Sequence, residues 1–207
     1  MFEEIVYAIG TTVILAGCAL RASVATAAAV RTFLTRESFL RLEFGAVEAA
    51  VVPEPILLAA ATGLMGVFAL DWGDASWTEA GAAAIGAAFV AAGWNLTLWS
   101  WVSWRNIFFG HAISPGQRLV TSGAYGFVRH PVYLGVVLMW FGLAAAFHSP
   151  PVLAAAVVYV TPAYVLYARS EERMMQEEFG NEYRAYQRSV PMLVPWLGRP
   201  SRSDLGA

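Results

Sequence analysis

Five long apolar segments, approximately residues 5 to 22, 50 to 70, 78 to 102, 131 to 147 and 151 to 168, constrain this chain more than any other feature. A bilayer is crossed by about 20 apolar residues in a helix, and two of the five fall a little short of that. The expected fold class is all-α: a polytopic transmembrane helix bundle of about five spanning helices, with a cytoplasmic C-terminal helical segment. Composition agrees, since 58% hydrophobic and 14% charged residues are not the balance of a soluble domain. No linker or repeat divides the 207 residues, so one compact domain is expected, with the N-terminal helices in 1 to 104 and a second half in 105 to 207.

Orientation follows from the basic residues, all 13 of which are arginine. With five spans, Arg21, Arg31, Arg36 and Arg41 fall after the first segment, Arg105, Arg118 and Arg129 between the third and fourth, and the rest after the fifth. The opposite side carries Glu3, Glu4, Asp71, Asp74 and Glu79. The positive-inside rule then sets the N-terminus outside and the C-terminus in the cytoplasm, which requires an odd number of spans. Trp72 and Trp77 on one side, and Trp99, Trp101 and Trp104 on the other, fit interfacial belts. Cys18 is the only cysteine, which excludes an internal disulfide or a cysteine-built metal site, and no metal site is expected. A net charge of −2 gives no sign of a nucleic-acid partner, and Glu3 and Glu4 argue against a cleavable signal peptide. Membrane lipids are the expected surroundings, and the oligomeric state stays open.

Chemistry concentrates where a polar cluster, Thr121 to Tyr133, abuts the fourth apolar run. Proline disfavours helical angles in the residue before it and suits a first helical turn, so His130 should be extended and a helix should start at Pro131. Arg129 and His130 then lie at the water boundary beside free backbone N–H groups, which attract anionic groups and form a shelf for a cofactor. The plainer reading is an interfacial anchor and an ordinary turn.

Three further regions carry charge. Glu48 and Pro53-Glu54-Pro55 stand at the cytoplasmic start of the second segment, where the glutamates are either functional intramembrane carboxylates or interfacial groups partnered by Arg41. Residues 31 to 44 mix arginines with Phe33, Leu34, Phe39, Leu40, Leu42 and Phe44, a pattern suited to a surface-lying amphipathic helix. After the fifth segment, Arg169, Glu172, Arg173 and Glu177 have the spacing of a solvated salt-bridge lattice, and Gly180 followed by Asn181 reads as a helix stop and a new N-cap. Glu171 and Glu172 point about 100° apart on a helix, so one should face the bundle while the other serves solvent or an arginine.

Five blocks in order, Leu119 to Tyr125, Arg129 to Gly135, Glu171-Glu172, Phe179 to Tyr186 and Val190-Pro191, resemble the isoprenylcysteine carboxyl methyltransferase family of integral membrane enzymes and the related phospholipid methyltransferases. The resemblance covers the C-terminal half and makes 105 to 207 the cofactor-binding, catalytic part. It implies S-adenosylmethionine as cofactor on the cytoplasmic side, wrapped by Gln117, Arg118, Leu119, Val120, Tyr125, His130, Pro131, Val132 and Tyr133, with Glu171 holding a polar group. The methyl acceptor is a small or lipid-like molecule arriving from the membrane: a prenylcysteine-like carboxylate, an amine or a thiol. Tyr167 stands where the prenylcysteine enzymes have a substrate-linked arginine, Arg169 is the nearby substitute, and with Arg129 these are the candidate catalytic residues. Ala124 replaces the family's proline before Tyr125. Gly135 and Gly142 would let helices approach closely. Two rivals are an NADPH-dependent membrane reductase of the sterol-reductase type, which shares an Arg-His-Pro-x-Tyr element, and a non-catalytic membrane scaffold.

Overall fold

The computed structural model describes residues 1–35, 41–43, 45–69, 76–104 and 111–195. Helix α1, Phe2–Leu34, is longer than expected. No proline or glycine interrupts the alanine-rich run after Arg21, and alanine is the strongest helix former, so the helix continues for another 13 residues past Arg21. Arg31, Phe33 and Leu34 therefore belong to its last turn and not to a separate surface helix. Beyond it, Arg41–Glu43 forms a short strand, β1, paired antiparallel with β2, His111–Ile113. This small sheet is an addition to the all-α expectation. Arg36, Phe39, Leu40, Phe44, Asp71, Trp72, Asp74, Arg105, Arg199 and Arg202 lie outside the described residues.

Helix α2, Ala46–Val51, begins at Gly45, whose N–H donates to Glu48 Oε2 at 2.7 Å. Pro53 and Pro55 then break the chain's course, since neither supplies an N–H, and α3, Glu54–Phe68, starts between them. Helix α4, Trp77–Ser103, is capped reciprocally: Ser76 N–H donates to Glu79 Oε2 and Glu79 N–H donates to Ser76 Oγ. Helix α5, Pro131–Ala146, starts at the expected proline, with His130 non-helical before it. The last stretch, Pro150–Ser189, bends at Gly180, where φ is +52°, so it is two helices: α6 (150–179) and α7 (181–189). Inside α6, Ala155–Val160 widens into a π-turn just before Pro162, whose missing N–H and bulky ring disfavour a regular turn there.

Among the described residues, four helical stretches are long and apolar enough to cross a membrane: Phe2–Leu34, Ala46–Val67, Trp77–Ser103 and Pro150–Ser189. The last exceeds a bilayer's need, and the polar residues from Arg169 onward continue it into water. Helix α5 is apolar but has 16 residues, short of a full span.

Helices α4 and α5 make the tightest contact in the bundle, and glycine is the reason. A Cβ placed on Gly135 would meet the Gly93 carbonyl oxygen at 2.7 Å, and one on Gly142 would meet that of Gly86 at 2.7 Å. The two crossings, seven residues apart on each helix, run the helices antiparallel with their backbones in contact. Gly135 thereby fixes the start of α5, where the polar cluster lies, against the C-terminal half of α4.

The second helix settles one open alternative. Glu54 is buried, and its carboxylate accepts hydrogen bonds from Trp140 Nε1 at 2.9 Å and Tyr164 Oη at 3.0 Å. It tethers α3 to α5 and α6 from inside the bundle. Glu48 is also buried and accepts from Ser170 Oγ at 3.2 Å.

Candidate active site

The site is built where the start of α5 meets the emerging part of α6. The non-helical backbone at Arg129 and His130 donates its N–H groups to the carbonyls of Pro191 and Met192, at 2.9 and 3.1 Å, so the segment after α7 closes over it. His130 is held from both sides: Nδ1 lies 3.3 Å from Glu171 Oε2 and Nε2 lies 3.1 Å from Glu172 Oε1. Tyr133, one turn into α5, stacks on the His130 ring at 5.1 Å and donates its hydroxyl to Glu171 Oε2 at 2.7 Å.

Adjacent carboxylates were expected to diverge, but both reach the same imidazole, because its two nitrogens lie on opposite edges of the ring. Glu172 also takes Arg129 Nε at 2.7 Å and Gln187 Nε2 at 2.8 Å. It turns away from the expected arginine lattice on its own helix. Arg129 completes its own bonding with the backbone carbonyls of Gln187 and Val190.

The electrostatics follow from this geometry. Burial alone would lower the His130 pKa, but hydrogen bonds and charge from Glu171 and Glu172 outweigh it and raise the value above 6.5. An imidazolium donating from both nitrogens satisfies both carboxylates. Burial alone would raise the Glu172 pKa, yet His130 and Arg129 hold the carboxyl down at about 2. Two cations and two anions make a balanced knot at the water boundary.

Above this knot opens a cavity of roughly 1360 Å³, counting its solvent-open mouth. Gln117, Arg118, Leu119 and Val120 line one wall; Tyr125, His130, Pro131, Val132 and Tyr133 line another, with Glu171 facing them. Arg129 and Tyr167 also reach it. Arg169 does not: it is exposed on the other side of α6. Tyr167 is buried in a ring cluster, 5.3 Å from Tyr133 and next to Tyr164.

Sequence reasoning missed part of the lining. Trp101 and Trp104, read as belt anchors, face the cavity, and Trp104 sits edge-on to Tyr125 at 6.3 Å. Tyr183 and Tyr186 close it from α7, where the Tyr186 hydroxyl donates to the Tyr125 carbonyl at 2.6 Å. Arg21, expected in a cytoplasmic loop, lies within α1 and is 6% exposed. The signal was its spacing: Ile14, Cys18, Arg21 and Ala25 repeat every three or four residues and form the buried face of α1. Ala124 also has a structural reason. Its N–H donates to Ser103 Oγ at 3.1 Å, a bond that proline lacks the hydrogen to make.

Residues 80–182 match the family model described as phospholipid methyltransferase, a stretch that spans most of α4 and all of α5 and α6. Methanethiol S-methyltransferase 1 of Bradyrhizobium diazoefficiens is 40% identical over 95 residues, 44% of this chain and 30% of that protein. Methanethiol S-methyltransferase 2 of the same organism is 41% identical over 101 residues, 47% of this chain and 36% of that protein. Protein-S-isoprenylcysteine O-methyltransferase B of Arabidopsis thaliana is 31% identical over 81 residues, 39% of this chain and 41% of that protein. The matched stretch spans about a third of the length of the first two relatives. No solved structure matches the chain. The chain thus carries the sequence pattern of the wider group of membrane methyltransferases that its motifs resemble, a group whose methyl donor is S-adenosylmethionine.

Proposed function

We propose that this chain is an integral membrane methyltransferase that takes a methyl group from S-adenosylmethionine and passes it to a small thiol. One observation carries the reading: a single cavity joins the polar group of Tyr125, His130 and Glu171 to a part lined by α1, α4 and α6, where Val24, Ala25, Ala28 and Trp101 supply apolar surface. A polar, charged donor and a volatile or greasy acceptor need such a two-sided space.

The residues present suit the donor. The Glu171 carboxylate suits an ammonium or ribose hydroxyls, and Arg118 and Gln117 at the rim suit a carboxylate. Tyr125 and Tyr133 offer ring faces to an adenine or a sulfonium, while Leu119, Val120, Pro131 and Val132 supply apolar wall. Arg129 is already committed to Glu172 and two carbonyls, so its role here is to hold the Glu171-Glu172 pair and His130 in place. S-adenosylmethionine, when bound, supplies an electrophilic methyl group for in-line displacement, a reaction governed by proximity and alignment. The chain's part is to orient the acceptor along that line and to keep water out of the apolar compartment.

Two findings favour a thiol over a prenylcysteine carboxylate. The relatives matched at about 40% identity are named for methanethiol. Tyr167 is buried among tyrosines where an arginine would be needed, and Arg169 faces away. The cytoplasmic placement of the site, with the N-terminus outside, belongs to the same proposal and rests on the arginine distribution.

The test is transfer of labelled methyl from S-adenosylmethionine to methanethiol by purified protein in detergent. Labelled dimethyl sulfide is expected. Absence of transfer to methanethiol and to longer alkanethiols, with NADPH but not S-adenosylmethionine raising the unfolding temperature, would favour the reductase.

A further inference from the structure

The cavity contains a buried cation, Arg21, that has no ion pair among the described residues. Arg21 lines it with Val24, Ala25, Thr97 and Trp101, and the Arg21 Nε is buried without a hydrogen-bond partner among the described residues. A guanidinium offers five donors in a fixed fork. Leaving a buried donor unmade costs far more than a surface arginine would, so a natural sequence retains one when something completes it. Arg21 sits on the α1 face that carries Ile14, Cys18 and Ala25 into the core, and it is buried there with them. The buried carboxylate of Glu54 already accepts from Trp140 and Tyr164. Tyr164 lies within electrostatic reach of both Glu54 and Arg21 and lines the cavity beside Arg21.

From this geometry we infer that Arg21 binds the methyl acceptor, holding a small alkanethiol as its thiolate in the apolar compartment. The inference rests on the methyltransfer reading and adds the residue that ionises and aims the acceptor. The apolar neighbours fit an alkyl group of one or two carbons, and the guanidinium fits the sulfur anion. A cysteine thiol ionises at about pH 8.5 and a simple alkanethiol higher still, and an adjacent cation favours the anion. The thiol proton leaves to water through the open mouth. The thiolate sulfur then forms a bond to the donor's methyl carbon as the bond from that carbon to the sulfonium sulfur breaks, and the electron pair of the broken bond stays on the departing thioether sulfur. No oxidant, reductant or protein nucleophile is required.

The test compares wild type with Arg21→Lys and Arg21→Met in detergent, with ethanethiol as the probe. Three quantities are read: calorimetric affinity for S-adenosylmethionine, calorimetric affinity for ethanethiol, and the pH dependence of kcat for methylation. Arg21→Met is expected to keep its affinity for S-adenosylmethionine, showing an intact fold, while ethanethiol affinity and kcat/KM at neutral pH fall about 10- to 100-fold, as for loss of a hydrogen bond to a charged group. Its kcat should recover at alkaline pH, because the thiolate must then form without help, and Arg21→Lys should lie between. Should Arg21→Met bind and methylate ethanethiol like wild type, with the same pH profile, the Arg21 assignment falls and the methyltransfer reading stands. If wild type itself binds no S-adenosylmethionine, the methyltransfer reading falls first and takes the acceptor role with it.

Discussion

Arg129 and Glu172 form an ion pair of 2.7 Å in which each side chain is only 10% exposed. The pair joins the residue before the His130-Pro131 corner to the first polar turns of α6, and so sets the distance between the two walls of the cavity. Arg129 is thereby a structural clamp, and its Nε is unavailable to substrate.

Breaking that clamp should cost more than a surface ion pair would. Glu172→Ala leaves Arg129 and His130 without their shared carboxylate, and removal of one partner of a buried pair typically costs about 3 to 5 kcal/mol. Denaturant titration in detergent checks the loss of stability. Affinity for S-adenosylmethionine is expected to fall with it, because Glu171 loses the alignment that His130 provides.

The same knot makes stability depend on pH from both ends. The raised His130 value means that its contribution is complete below the ordinary histidine range, near pH 6.5, and is lost as pH rises through the folded-state value. The Glu172 value of about 2 means that its contribution is present above the ordinary carboxylate range and is lost as pH falls toward 2. Unfolding midpoints measured from pH 3 to 9 should fall at both extremes, and His130→Gln should flatten the alkaline side.

Gly135→Ala should destabilise the bundle by about 1 to 3 kcal/mol, the cost of overpacking, because the new methyl meets the Gly93 carbonyl. Gly81→Ala, in α4 where nothing lies within 4 Å of the added Cβ, is the control. That substitution should be neutral or slightly stabilising, since alanine is the better helix former. Thermal unfolding of the two variants in the same detergent decides the point.

Ala124→Pro removes the N–H that Ser103 accepts and should cost about 1 kcal/mol. In a Ser103→Ala background the bond is already gone, so the proline should then be neutral or stabilising through its stiffer unfolded chain. A double-mutant cycle that comes out additive would remove this account of the alanine.

What the sequence made legible was local. The start of α5 at Pro131 follows from the ring's own stereochemistry, and the break at Gly180 from glycine's tolerance of the positive φ it adopts. The apolar segments were visible because a membrane span needs a continuous run. What stayed hidden depended on partners far along the chain. Glu54 was undecided until Trp140 and Tyr164, 86 and 110 residues away, were seen donating to it. Arg21 was misplaced because hydropathy assigns an arginine to the boundary, whereas its position on the α1 face puts it inside. Gln187 closes on Glu172 only after α7 has folded back at Gly180, and no short motif announces that return.

The central claim is that a sulfonium donor binds between the start of α5 and the polar part of α6, and calorimetric titration of S-adenosylmethionine into the detergent-purified protein tests it most directly. Saturable binding to wild type is expected, with affinity at least about tenfold weaker in Glu171→Ala, the loss of one charge-assisted contact. Absence of binding to folded wild type, or unchanged affinity in Glu171→Ala, would contradict it.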